Sequence, residues 1–383
     1  MTAPTTNTPR VLVGSDFFTP HWTGIVKSIA NVIESLTGEI EFTVVTSRYS
    51  SELPAQERIG NSVVFREGVF VFLSRCAYSW RAIIRFIREV PRHDAVLISS
   101  PCSNVLPFSI IAKLCGKRLV IFHQGDLILA QGFFNRVLEG VFFVSTTIGL
   151  ALADLVSTFT ADYAETSSVL RWFKHKFRPL MVPVCLAPPP QQLSPLLQRA
   201  VELKQQGRIL FGLAGRFVAE KGFDILLAAV PRILEKVPNA HFVFAGETNI
   251  SYESTFHDLK SQVERYSDRF LMLGLLRDEE LRAFYEAIDF IVIPSRSDCC
   301  NLVQLEACTC GKPSVCADIP GARHLVRTSG FGAIFAKEDP IDLADKIADV
   351  VARRDELLPR HAIVLQMLDT KARMLDFKDA LLG

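Results

Sequence analysis

Phe290–Gly311 reads FIVIPSRSDCCNLVQLEACTCG. Its first four residues, Phe290–Ile293, have the length and apolar character of a buried strand. A proline and a polar loop end that run, and a helical pattern then covers Leu302–Thr309. Strand, loop and helix in this order is the repeating unit of a parallel sheet, whose neighbouring strands are joined by crossovers. Asp298 stands in the loop and Glu306 in the first turns of the helix, with Asn301 and Leu302 between them. Ionised carboxylates accept hydrogen bonds from hydroxyl groups strongly. A helix amino terminus offers unpaired N–H groups to phosphate. The stretch suits a ligand that is both hydroxylated and phosphorylated.

The same alternation extends in both directions. In the second half, strands are predicted at Ile209–Leu213, His241–Ala245, Phe270–Leu273 and Ser314–Ala317, and helices over Asp224–Val237, Glu279–Ile288 and Ile341–Arg353. In the first half, strands are predicted at Val11–Ser15, Phe42–Thr46, Ala95–Ser99, Leu119–His123 and Leu155–Phe159, with helices over Ile25–Leu36 and Trp80–Val90. Between the halves lies Met181–Pro195, MVPVCLAPPPQQLSP, whose three successive prolines continue neither a helix nor a central strand. The expected organisation is a first domain over residues 1–188 and a second over 189–369, with a helical tail at about 370–383 packing back on the first. The expected fold class is α/β, two Rossmann-like doubly wound parallel-sheet domains facing a cleft. Ligands bind at the carboxyl ends of the strands in such sheets. Asp298–Glu306 follows one predicted strand, and the basic, glycine-rich segment Gly215–Gly222, GRFVAEKG, follows another. Together the two segments point to a nucleotide sugar.

Composition removes other classes. A chain of 383 residues exceeds one ordinary core. With 49% hydrophobic and 22% charged residues it reads as globular. Its 42 Lys and Arg balance 41 Asp and Glu to leave a formal charge of +1, and no nucleic-acid motif is present. The nine cysteines include no CxxC pair and no zinc spacing, which predicts no metal site and a reducing cytoplasm. The opening MTAPTTNTPR is polar, unlike a signal peptide. The longest uncharged apolar run, Gly140–Ala153, falls short of the ~20 residues of a membrane span, so no integral span is expected.

Three segments resemble the retaining glycosyltransferases of family four (glycosyl transferases group 1), which adopt the GT-B fold. They are Gly215-Arg216-(x3)-Glu220-Lys221-Gly222; Asp298 to Glu306 with Ala307 and Cys310-Gly311-Lys312-Pro313 behind it; and Asp16-Phe17-Phe18-Thr19-Pro20-His21-Trp22-Thr23-Gly24-Ile25. The match is dense over Arg208–Val326 and sparser before it. The resemblance implies a catalytic set of His123, Asp298, Arg216 and Lys221. It implies a donor-binding set of Gly24, Gly215, Arg216, Lys221, Asp298, Asn301, Leu302 and Glu306. Arg216 and Lys221 would neutralise the donor diphosphate as it leaves, with no metal and no other cofactor. Glu306 would hold the ribose, and Asp298 and His123 the transferred sugar. Backbone N–H groups near Asn301 and Leu302 would meet sugar or phosphate. The family's front-face attack uses no enzyme nucleophile, so Asp298 and Glu306 are not the acid and nucleophile of a retaining glycosidase. Asp298 stands where Glu is commoner in the family, Thr23-Gly24 where two glycines are common, and His324 where an acid is common. Glu247, Leu276 and Arg277 surround the positions that would choose donor base and sugar.

The expected activity is transfer of a hexose from a UDP- or GDP-sugar to a saccharide or lipid-linked saccharide acceptor. The expected setting is surface or exported polysaccharide or glycolipid biosynthesis, cytoplasmic and peripheral on the inner face of a membrane. Trp80–Arg92 places Trp80, Ile83, Ile84 and Ile87 on one helical stripe beside Arg81, Arg85, Arg88 and Arg92. Arg171–Arg178 interleaves bases with aromatics. With Phe133, Phe134, Phe142 and Phe143, these suit an anionic membrane surface; the plainer alternative is domain helices with one packed and one solvated face. Two other activities stay open: a nucleotide-sugar 2-epimerase of the same fold, and a non-catalytic sugar-nucleotide-binding subunit, which Asp298 and His324 keep in view.

Overall fold

The structure, a computed structural model, describes residues 8–21, 23–73, 76–127, 132–250 and 253–383. Trp22 of the amino-terminal motif and most of the polar opening stretch lie outside them. The chain divides into two compact units, Met1–Pro183 with Thr370–Gly383, and Val184–Asp369.

The first unit carries strands β1 (Arg10–Gly14), β2 (Glu41–Arg48), β3 (Gln56–Ile59), β4 (Ser62–Gly68), the short hairpin β5 (Val71–Leu73) and β6 (Cys76–Tyr78), then β7 (Ala95–Ser100), β8 (Arg118–His123), β9 (Leu155–Thr158) and β10 (Phe177–Pro179). Its helices are α1 (Gly24–Ser35), α2 (Trp80–Glu89), α3 (Val105–Leu114), α4 (Phe133–Leu152) and α5 (Ala161–Thr166). Eight strands form one sheet in the order β10-β9-β8-β7-β1-β2-β4-β3, parallel throughout except for the β3–β4 edge. Every residue of β7 is buried, as expected of a strand covered on both faces. The order reverses between β1 and β7, which sets the loops after these two strands side by side.

The second unit carries β11 (Ile209–Ala214), β12 (Ala240–Ala245), β13 (Phe270–Gly274), β14 (Phe290–Ile293), β15 (Ser314–Ala317) and β16 (Gly332–Phe335). Helices α6 (Pro195–Gln205), α7 (Phe223–Lys236), α8 (Thr255–Arg265), α9 (Asp278–Ala287), α10 (Leu302–Thr309), α11 (Pro320–Ser329) and α12 (Pro340–Ala352) connect and flank them. The six strands are all parallel, in the order β13-β12-β11-β14-β15-β16. Here the switch lies between β11 and β14, the strands that precede the two segments singled out in the sequence.

The alternating strands and helices read from the sequence are present. Strands β3, β4, β10 and β16, at or next to the sheet edges, escaped it because they are short or mix polar with apolar residues. Helices α3 and α4 escaped it because they are apolar on nearly every side and show no clean period. The α2 stripe of Trp80, Ile84 and Ile87 is exposed, and the helix packs inward instead through Ala82 and Phe86. The ring of Phe86 stacks on Phe108 of α3 with centroids 4.0 Å apart.

The tail helix Thr370–Leu382 belongs to the first unit. Phe377 is fully buried and meets Phe122 of β8 edge-on at 5.4 Å. Lys378 pairs with Glu39, and Arg178 pairs with Asp376 and Asp379. Surface pairs of this kind are weak, so the ring anchors the tail. Phe377→Ala should therefore cost about 3–5 kcal/mol. Calorimetry of the full chain should show the transition of the first unit moving down while that of the second stays; an unmoved first transition would refute this account.

Candidate functional site

In the second unit, the loops after β11 and β14 are held together by close backbone contact and by ion pairs. Gly222 closes the first loop in the left-handed region (φ 68°), and a Cβ there would lie 2.0 Å from the carbonyl oxygen of Pro294. Only glycine permits both the conformation and the approach. Arg296 ties the loops from the other side. Its guanidinium donates to both carboxylate oxygens of Asp224 at 2.8 and 2.6 Å, to the carbonyl of Ala219 at 2.6 Å and to Glu338 at 2.7 Å. Its backbone N–H donates to the carbonyl of Glu220. A planar fork with five donors suits this bridging role.

Between the loops, Lys221 Nζ donates to Asp298 Oδ2 at 2.8 Å. Asn301 Nδ2 donates to the same oxygen at 2.8 Å. Asn301 Oδ1 in turn accepts from the N–H of Gln304 at 3.0 Å and so caps α10. Burial lowers the pKa of Lys221, but the charge and hydrogen bond of Asp298 outweigh it, and the ammonium titrates above the ordinary lysine value. Leu302 opens α10, immediately after its Asn301 cap. Arg216 is exposed beside Gly215 at the end of β11. Glu306, about one turn along α10, is buried and accepts from Tyr285 Oη at 2.6 Å. Burial, then the charge of Glu306, pushes the Tyr285 phenol well above its usual value, so it stays a donor. A Cβ at Gly321 of α11 would meet the Asp298 carbonyl oxygen at 2.1 Å, and Asn301 N–H donates to the Gly321 carbonyl at 3.1 Å. Lys221, Asp298, Asn301, Leu302 and Glu306 thus share one edge of one sheet.

Of the residues around the expected base and sugar positions, Glu247 is exposed and takes the Phe217 N–H on its carbonyl, Leu276 is buried, and Arg277 precedes α9. His324 lies on α11. Burial pushes the Cys299 thiol to about 12, so this cysteine beside Asp298 is unreactive at neutral pH. All nine cysteines are free. Among the described residues, no group of three or more His, Cys, Asp or Glu is placed to hold a metal ion.

In the first unit, the corresponding sheet edge gathers Asp16, Gly24 and His123. Asp16 follows β1, is buried, and accepts from Ser103 N–H at 2.9 Å and Ser103 Oγ at 2.6 Å. Gly24 begins α1, which Thr23 caps, with open space around its Cα. His123 ends β8 and is buried, with Nδ1 3.0 Å from Ser100 Oγ and Nε2 2.9 Å from Asp126 Oδ1. Asp126 also accepts from Ser167 Oγ and Ser168 N–H. Although burial opposes it, the hydrogen bond from His123 and these further donors hold its carboxyl well below the usual range. Both ring nitrogens of His123 therefore have partners within the unit, and a sugar contact would have to displace one of them. The sequence reading named His123 without Ser100 and Asp126, and named Glu306 without Tyr285. Ser100 and Tyr285 come from another strand and another helix, which no local motif links, whereas Asp126 lies three residues beyond His123 in the loop after β8.

With this geometry in place, the chain can be compared with known proteins. Residues 197–362 match the family model described as glycosyl transferases group 1. That segment, within the second unit, is similar to the group 1 glycosyltransferases. The chain is 33% identical over 157 residues to D-inositol 3-phosphate glycosyltransferase of Geodermatophilus obscurus, covering 39% of this chain and 35% of that protein. It is 31% identical over 145 residues to mannosylfructose-phosphate synthase of Agrobacterium fabrum, covering 37% and 31%. The matched region thus spans only about a third of the length of these curated relatives. Among solved structures, Anabaena HepE in complex with UDP aligns at TM-score 0.72 and 15% identity, covering 97% of this chain and 98% of that one. Sucrose-phosphate synthase of Thermosynechococcus elongatus aligns at 0.73 and 16%, with the same coverage. The fold of this chain is that of the GT-B glycosyltransferases, two Rossmann-like halves.

Two predictions follow from the site. Tyr285→Phe leaves the buried Glu306 carboxylate one donor short and should lower stability by about 1–3 kcal/mol; denaturant titration showing no loss would remove Tyr285 from this role. Asp16 is raised to about 6, chiefly by burial, with Ser103 opposing. Its folded form therefore holds the proton more tightly than its unfolded form, so stability is lost as pH rises from about 4 to about 6. Asp16→Asn should flatten that fall in melting temperature; parallel pH profiles for the two proteins would contradict the assignment.

Proposed function

We propose that this chain is a metal-independent, retaining glycosyltransferase that moves a hexose from a UDP- or GDP-sugar to a saccharide or lipid-linked saccharide. The observation that carries the reading is the Lys221–Asp298–Asn301 cluster beside Glu306, at the sheet edge of the segment that matches the family. The UDP and UDP-glucose complexes of HepE support a nucleotide sugar as the donor.

In this reading Lys221 and Arg216 meet the diphosphate and stabilise the charge that develops as it departs. Glu306, oriented by Tyr285, accepts hydrogen bonds from the ribose. Asp298, tied to Lys221 when no donor is bound, exchanges that partner for hydroxyls of the transferred sugar as Lys221 turns to phosphate. Aspartate places its carboxylate one methylene nearer the backbone than glutamate, which moves the sugar contact toward Asn301. The acceptor oxygen attacks the anomeric carbon from the face that the diphosphate leaves, the C–O bond to phosphate breaks, and the departing phosphate takes the hydroxyl proton, so configuration is retained without a protein nucleophile. The first unit takes the acceptor, with Gly24 and His123 at its own sheet edge. The matching setting is surface or exported polysaccharide or glycolipid assembly, on the cytoplasmic side and peripheral to a membrane.

A thermal-shift panel of UDP, GDP, ADP and their sugar conjugates, run without added metal, tests the donor half. Binding to the folded state raises the melting temperature by mass action. One base should give a shift; silence from every nucleotide would overturn the donor site. With the responding nucleotide, Lys221→Ala should weaken affinity about tenfold to a hundredfold, the loss of one or two charge-assisted hydrogen bonds. Calorimetry showing unchanged affinity would defeat the phosphate role of Lys221.

A further inference from the structure

Helices α2, α3 and α4 lie side by side in one layer on one face of the first unit's sheet. Their inner faces supply the core: Ala82 and Phe86 from α2, Val105 and Phe108 from α3, Leu150 from α4. Their outer faces are apolar as well. On α2, Trp80, Ile84 and Ile87 are exposed, Trp80 by 52%. Leu114 ends α3 at 83% exposure. On α4, Phe134, Val137, Val141, Val144 and Ile148 form an exposed stripe with alternating spacings of three and four, one face of the helix. A helix of this length runs about 30 Å. None of these outer residues is needed to hold the layer to its sheet. Contiguous exposed apolar surface on this scale marks a place of interaction.

The charges around the face decide what covers it. The cations of these three helices are Arg81, Arg85, Arg88, Lys113 and Arg136, and their acids are Glu89 and Glu139. Glu89 is buried and paired with Arg85 and Arg92. Arg81 and Arg88 stand exposed beside the Trp80–Ile87 stripe, with the Arg81 guanidinium over the Trp80 ring at 5.5 Å. At the far end of α4, Lys176 donates to the carbonyls of Ala151 and Ala153 at 2.7 Å and fixes the basic aromatic run that contains the exposed Trp172. A second copy docking through the same face would bring its own cations toward these. Among the described residues no helix is long and apolar enough to cross a membrane. Apolar stripes, tryptophan at the rim and an excess of arginine suit a surface that lies in the plane of a lipid interface.

We propose that the outer face of the α2–α3–α4 layer docks on an anionic bilayer, the aliphatic stripes entering the acyl boundary and Arg81, Arg88 and Arg136 meeting lipid phosphates. The purpose of such docking, delivery of a lipid-linked acceptor, rests on the function proposed above; the docking itself does not.

Co-sedimentation of the full chain with vesicles tests it. Phosphatidylglycerol-rich vesicles should bind the protein, and phosphatidylcholine vesicles should bind it weakly. Arg81→Gln with Arg88→Gln should lower partitioning onto the anionic vesicles about thirty-fold, an effect that shrinks at high salt. Val137→Asp with Val141→Asp should lower it at every salt concentration, and both pairs of positions are exposed, so the variants should fold. No binding to either vesicle would overturn the proposal, as would binding that neither pair of substitutions weakens. A concentration-dependent dimer that Val141→Asp dissolves, with no vesicle binding, would assign the face to a second copy and also overturn it. The nucleotide thermal shift, measured on the same proteins, separates the two readings. Vesicle binding without any nucleotide response sinks the donor site alone, and a nucleotide response without vesicle binding sinks the docking face alone.

Discussion

The pairing of Lys221 with Asp298 is the contact on which the rest of the site turns. Each residue ends a different strand–loop unit, and the two meet only because β11 and β14 are neighbours where the sheet order reverses. A charge removed from water is costly unless a partner receives it. Lys221 and Asp298 are each largely withdrawn from solvent and satisfy one another. The close approach of Gly222 to Pro294 sets the spacing, Arg296 locks it, and Asn301 joins the pair to the cap of α10. In the proposed function, a diphosphate entering this edge would offer Lys221 a more highly charged partner, and sugar hydroxyls would supply the donors that Asp298 then lacks. The ion pair and those contacts would be two ways of meeting the same electrostatic demand.

Much of this site was legible because its residues lie in two short segments with local causes. GRFVAEKG carries a glycine for a left-handed turn, and the stretch from Asp298 to Glu306 carries a helix cap between its two acids. The spatial meeting of the segments follows from strand order, which alternation of strands and helices implies. Tyr285 was not legible: it comes from α9, and nothing near it in the chain marks it as the donor to Glu306. Arg296 was not legible either, since an arginine in a loop reads as solvated until the acids facing it, Asp224 and Glu338, are brought in by the fold. The general rule is physical. The candidate site side chains cluster at strand ends, and the side chains that hold them come from wherever the packing puts a donor.

The first unit repeats the geometry with different chemistry. Its switch point lies between β1 and β7, and the bridge there is Asp16 accepting from Ser103 rather than an ion pair. Asp16 has no cation among the groups that shift it, and burial raises its pKa, the reverse of what Asp126 experiences two strands away. Asp126 differs because His123, Ser167 and Ser168 all donate to it. Two carboxylates on one sheet edge are thereby pushed in opposite directions, Asp16 up by burial and Asp126 down by its donors, and His123 is held by a strong acceptor on one side and a hydroxyl on the other.

Helix α2 shows where periodicity stops being informative. Its apolar residues fall on two stripes, Ala82 with Phe86 and Trp80 with Ile84 and Ile87, and the second is the larger. The core chose the smaller. Phe86 stacks flat on Phe108, and that contact requires α2 and α3 to approach closely, which a small residue at Ala82 permits and a tryptophan would prevent. Packing selects shape before it selects total hydrophobicity. The larger stripe is left outside with arginines on its flank, and α4 does the same with a longer one. A unit that needed only a core would gain solubility by replacing these residues with polar ones at no cost to its interior. Their presence on the outer side of a layer already complete on its inner side is a property of the surface, and its chemistry, aliphatic with a cationic rim, describes the partner.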